Sequence, residues 1–137
     1  TGRIYKHRDY LNDMAVSDSS IKVYNNISNI CDVMKKCDIA ISAGGTTLAE
    51  LCACGIPTIC FSIADNQLYG TEAYSNDGLM LYAGDARVQK DVVIRRISDN
   101  LELLIKDYSF RQKIACKQKK IIDGKGSFRI AREIIKL

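Results

Sequence analysis

Apolar positions along the chain follow two periods, and the changes between them outline its elements. From Arg8 to Val16, the residues Leu11, Met14 and Ala15 fall at helical spacing, which predicts a short helix. Ile21 to Ile27 alternates and predicts a strand, and Ser28 is placed to cap a helix reaching about Lys36, with Ile30, Val33 and Met34 on one face. Asp38 to Ser42 is short, apolar and β-branched, the mark of a buried strand. Thr46 to Cys54 returns to the helical period and stops at Gly55, a residue suited to a C-terminal cap. Ile56 to Ile63 predicts a second buried strand, Asp65 to Ser75 a helix ending in the turn Asn76-Asp77-Gly78, and Leu79 to Ala83 a further strand closed by Gly84-Asp85. Helices are expected over Val88 to Lys106, Ser109 to Ile122 and Ser127 to Leu137, and these last helices are placed to reach across to another domain. Strand and helix alternate, which is the pattern of an α/β fold: a Rossmann-like parallel sheet with helices on both faces and the Asp38 strand at its centre. Residues 1–137 read as a single domain.

Composition narrows the classes. The chain has 137 residues, 47% apolar and 26% charged, the balance of a globular protein with a core of its own. No apolar run approaches the roughly 18 residues of a membrane span, so no transmembrane segment is expected. The start, Thr1-Gly2-Arg3-Ile4-Tyr5, has neither an initiator methionine nor a signal-peptide pattern, and reads as a cut from something longer. The net charge of +4 is mild. Its bases, spread from Arg95 to Lys136 among acids and apolar residues, read as the solvated face of helices, and no nucleic acid is expected as a partner. Cys31, Cys52, Cys54 and Cys60 sit inside apolar segments, no C-x-x-C pair exists, and His7 is the one histidine. Free thiols of a cytoplasmic protein, without metal or disulfide, are the reading.

The stretch Ile39-Ala40-Ile41-Ser42-Ala43-Gly44-Gly45-Thr46-Thr47-Leu48-Ala49-Glu50-Leu51 carries the candidate chemistry. A buried strand runs through two glycines into a helix, at the carboxyl edge where open α/β sheets bind ligands. Glycine lets a phosphate approach the backbone, the first N–H groups of a helix favour anions, and Thr46 and Thr47 add hydroxyls. Glu50, one turn further on, is suited to accept hydrogen bonds from a ribose. One strand later, Asp65-Asn66-Gln67 reaches the same edge, where Asn66 and Gln67 offer donors and acceptors to sugar hydroxyls. Each group also has a purely structural reading: turn geometry for the glycines, helix capping for Thr46 and Asp65, and a capping box or surface charge for Glu50.

The run A-G-G-T-T-x-x-E-L, then G-x-P, then A-D-N-Q, resembles the C-terminal half of GT-B enzymes that use UDP-sugars. It is similar to the N-acetylglucosaminyltransferase of peptidoglycan synthesis. It is most similar to the UDP-sugar hydrolase of pseudaminic acid synthesis, which releases 2,4-diacetamido-2,4,6-trideoxy-altrose, and to spore-coat polysaccharide biosynthesis proteins. The likeness covers about Ile21 to Asp85. It implies that Gly44, Gly45, Thr46 and Thr47 hold a diphosphate, Glu50 the ribose, Asn66 and Gln67 the sugar, and Asn26 and Ile27 the uracil. It implies a nucleotide-sugar hydrolase, with the donor domain of a glycosyltransferase or a non-catalytic UDP-binding module as alternatives. No cofactor is implied. The catalytic base is expected in an N-terminal domain of the same protein, so that this chain by itself is expected to turn over no substrate. His7 matches no motif of that family.

Overall fold

The computed structural model describes residues 6–136. In chain order its elements are α1 (Arg8–Ser17), α2 (Ile30–Met34), β1 (Ala40–Ala43), α3 (Thr46–Cys54), β2 (Thr58–Ser62), α4 (Asp65–Asn76), β3 (Leu81–Asp85), α5 (Lys90–Lys106), α6 (Tyr108–Ile121) and α7 (Gly126–Ile135). The chain forms two compact units, one ending at Asp32 and the other beginning at Val33.

In the first unit, α1 forms where the periodicity placed it. The expected strand from Ile21 to Ile27 does not form: these residues enter no ladder. Ile21, Val23 and Ile27 are half-buried while Lys22, Tyr24, Asn25 and Asn26 are exposed, so the alternation records burial without pairing. Asn26 also turns to a φ of 51°, which breaks an extended run and which asparagine tolerates better than most residues. Asn29, not Ser28, prepares α2: its Oδ1 accepts from the Cys31 N–H at 3.2 Å. The helix ends at Met34, short of Lys36.

The second unit is built on a parallel three-stranded sheet of order β1-β2-β3. The central strand is therefore β2, and the Asp38 segment, expected at the centre, supplies the edge strand β1. Its centrality depended on a partner strand at Ile21, which does not form. Alternation along β2 divides the core in two. Cys60 joins Leu48, Leu51, Cys52, Leu79 and Met80 under α3 and α4, whereas Ile59 joins Ala83, Val93, Leu104 and Ile114 under α5 and α6. Every β2 residue except Phe61 is buried, as expected for a strand covered on both faces. Gly55 ends α3 in the left-handed conformation, at φ 70°. Gln118 of α6 is fully buried and ties the layers together, its Nε2 donating to the carbonyls of Ile56 at 3.0 Å and Leu79 at 2.8 Å. On α7, by contrast, Phe128, Ile130, Ile134 and Ile135 are all exposed.

Because β1 and β2 run parallel, the turns that follow them leave the sheet at one edge. The expected placement of residues 42–46 and 65–67 side by side is met.

Candidate functional site

The turn into α3 is built by two glycines with different tasks. The Gly44 N–H extends the sheet pairing by donating to the Phe61 carbonyl at 2.8 Å. A Cβ at Gly44 would stand 2.7 Å from Gln67 Cβ and 2.8 Å from Thr71 Cγ2, so glycine here lets α4 lie against the turn. Gly45 has φ 149° and ψ −172°, a region open in practice to glycine alone, and a Cβ there would meet nothing within 4 Å. Its backbone is exposed and unobstructed, and a residue with a Cβ would be strained there. No side chain caps α3. The Leu48 N–H reaches the Gly45 carbonyl at 3.1 Å, while those of Gly45, Thr46 and Thr47 have no acceptor among the described residues. Three unpaired donors at the positive end of a helix make an anion-favouring concavity. Since the third helical position is Leu48, Glu50 cannot be a capping-box partner, and that alternative falls.

The turn into α4 is held by its own side chains. Gln67 Oε1 accepts from the Ile63 N–H at 2.9 Å, which leaves the amide NH2 as the free end of that residue. Asp65 does not cap α4, whose capping position is Ala64. Its carboxylate instead meets Arg87 at 2.8 Å, and Arg87 also clamps Asp85 at 2.6 Å. Hydrogen bonds from Arg87 hold the Asp85 carboxyl below its ordinary range. Beneath the turn, the Ser62 hydroxyl lies 2.8 Å from that of Thr71 and 3.1 Å from that of Tyr82. These contacts fix where β2 releases α4.

Between α3 and α4 lies a cleft of about 330 Å³. Gly45, Thr46, Leu48 and Ala49 line one side, and Asn66, Gln67, Gly70, Thr71 and Tyr74 the other. The structure thus brings Gly45, Thr46, Asn66 and Gln67 to one cavity, with Gly44 packed behind Gln67. Thr47 and Glu50 are exposed on α3, outside the lining. Asn26, exposed, and Ile27, half-buried, belong to the first unit, as does His7 at the start of α1. Gly70, Thr71 and Tyr74 also line this cleft, which the motif did not reveal. Their signal is the helical spacing three, four and seven places after Gln67. Among the described residues no group of three His, Cys, Asp or Glu side chains converges as a metal site. Cys52 and Cys60 are buried, and burial pushes their thiols up to about 11 and about 12.

A spore coat polysaccharide biosynthesis protein, SpsG, of Bacillus subtilis (strain 168) is 22% identical over 129 residues, covering 94% of this chain and 37% of its own length. Over 62 residues, 43% of the chain, there is 42% identity to a transferase of Oenococcus oeni. That protein is the UDP-N-acetylglucosamine–N-acetylmuramyl-(pentapeptide) pyrophosphoryl-undecaprenol N-acetylglucosamine transferase, of which 17% is covered. The chain therefore spans well under half the length of these relatives. No solved structure gives a significant match. The glycosyltransferase family 28 C-terminal domain matches residues 2–120, which take in the turns into α3 and α4 and the cleft between those helices, and the chain belongs to that family.

Proposed function

We propose that the chain is the donor-binding half of a UDP-sugar glycosyltransferase acting in surface polysaccharide synthesis, the other half being an N-terminal domain of the same protein. The observation that carries this reading is the start of α3. The unpaired N–H groups of Gly45, Thr46 and Thr47, on a backbone only glycine permits at 45, open beside the cleft that also holds Asn66 and Gln67. A diphosphate fits such a concavity by charge and by hydrogen bonding. Gly44 contributes spacing, since its own N–H is committed to Phe61. The Thr46 and Thr47 hydroxyls add donors, Glu50 accepts from the ribose one turn along, and Asn66 with the free amide of Gln67 meets the sugar. Asn26 and Ile27 are assigned to the uracil.

The same donors serve the chemistry. When the bond from the sugar to the diphosphate breaks, negative charge grows on the departing phosphate. Fixed N–H dipoles stabilise that charge more in the transition state than in the bound donor, which lowers the barrier. The chain's part is to bind, orient and stabilise the leaving group. Transfer and hydrolysis share this part and differ in the nucleophile, an acceptor hydroxyl or water. The transferase named among the relatives favours transfer, so the hydrolase reading is set second.

Calorimetric titration against UDP and UMP tests the assignment. Diphosphate contacts at α3 predict affinity for UDP at least about tenfold above that for UMP, one added charge-assisted contact sufficing for that ratio. Equal affinities would remove the diphosphate from this turn.

A further inference from the structure

We propose that Gly70 is a specificity-determining residue: the side chain it lacks leaves the space that the donor's sugar ring occupies. The inference rests on the reading of the cleft as a nucleotide-sugar site. Gly70 stands inside α4, where glycine weakens a helix relative to alanine and so asks for a local reason. Neither of the usual reasons applies. Its φ is not positive, unlike those of Gly45, Gly55, Gly78, Gly84 and Gly124. Its place is not crowded, unlike that of Gly44, since a Cβ on Gly70 would meet nothing within 4 Å.

The empty volume is the cleft itself. Gln67, Gly70 and Tyr74 lie on one face of α4, and Thr46 and Ala49 line the wall formed by α3. The two helices do not pack along one another, and buried Leu48 lies among the lining residues. Apolar surface beside the amides of Asn66 and Gln67 suits a sugar ring, which presents C–H groups and hydroxyls together. A methyl group at position 70 would stand in that volume without disturbing the protein.

The test is Gly70→Ala in the full chain, titrated with UDP and with UDP-N-acetylglucosamine beside thermal melts. Removing a helix-interior glycine at an unstrained site should raise Tm by about 2–5 °C. A methyl placed against a bound ring should lower affinity for UDP-N-acetylglucosamine about tenfold, the scale of one methylene in a fitted pocket, with the loss absent for UDP. Unchanged affinity for both ligands, or an equal loss on both, would overturn the inference. So would a fall in Tm, which would mean that the fold itself needs the space. If UDP fails to bind even the unsubstituted chain, the reading of the cleft as a nucleotide site falls first, so the two failures are distinguishable.

Discussion

Glu50 is an exposed carboxylate on α3 that takes no part in capping the helix, so its substitution separates binding from folding. Glu50→Gln keeps size and helix propensity but replaces an ionised acceptor with a neutral one, at a cost of about 1–2 kcal/mol in UDP binding. Calorimetry should record a loss near tenfold with Tm almost unchanged, and an unaltered affinity would return Glu50 to an ordinary surface charge. The cysteines give a second residue-scale outcome. Cys37 and Cys116 are exposed, whereas Cys52 and Cys60 are buried with thiols raised to about 11 and about 12. Iodoacetamide at pH 8 should label the first two in the native protein and reach the buried pair only on unfolding, as read by peptide mass mapping. Because burial raises these thiols above the unfolded value of about 8.5, the associated stability is full below that pH and declines as pH climbs towards 11–12. The glycine pair was legible at this scale as the turn from β1 into α3. That Gly44 serves packing and Gly45 exposure was not, because the distinction depends on α4, which reaches Gly44 from across the sheet edge.

The helices and buried strands were legible because each carries its own period and its own stops. Gly55 after α3 and the buried run of β2 are the clearest cases. The error over Ile21 to Ile27 has a physical source: a strand is defined by a neighbour, and alternation reports only which side chains turn inward. Gln118 was equally invisible, a glutamine in a polar helix whose burial follows from α6 crossing the ends of Ile56 and Leu79. Gln118→Leu leaves the Leu79 carbonyl without its donor, while the Ile56 carbonyl keeps the Thr58 hydroxyl at 2.7 Å, so it should lower stability by about 1–2 kcal/mol. Urea denaturation should show an earlier midpoint with the same slope, and an unmoved midpoint would mean that water satisfies the Leu79 carbonyl.

For the whole molecule, parallel strands deliver two turns to one edge, and the candidate cleft opens between the helices that follow. On the proposed reading this cleft is one half of the binding site, which binds without enclosing its ligand, so bound water screens its charges. The purified chain is accordingly expected to bind UDP and to release no sugar from UDP-N-acetylglucosamine. Steady release that survives removal of contaminants would place catalytic machinery within it. The most direct measurement is a two-dimensional 15N–1H NMR titration of the labelled chain with UDP. The amide signals of Gly45, Thr46 and Thr47 should move first and furthest, since their N–H groups are the unpaired donors at the start of α3, while Gly44, bonded to Phe61, should move less. Saturating UDP that leaves those three amides in place, or shifts only signals elsewhere in the chain, would contradict it.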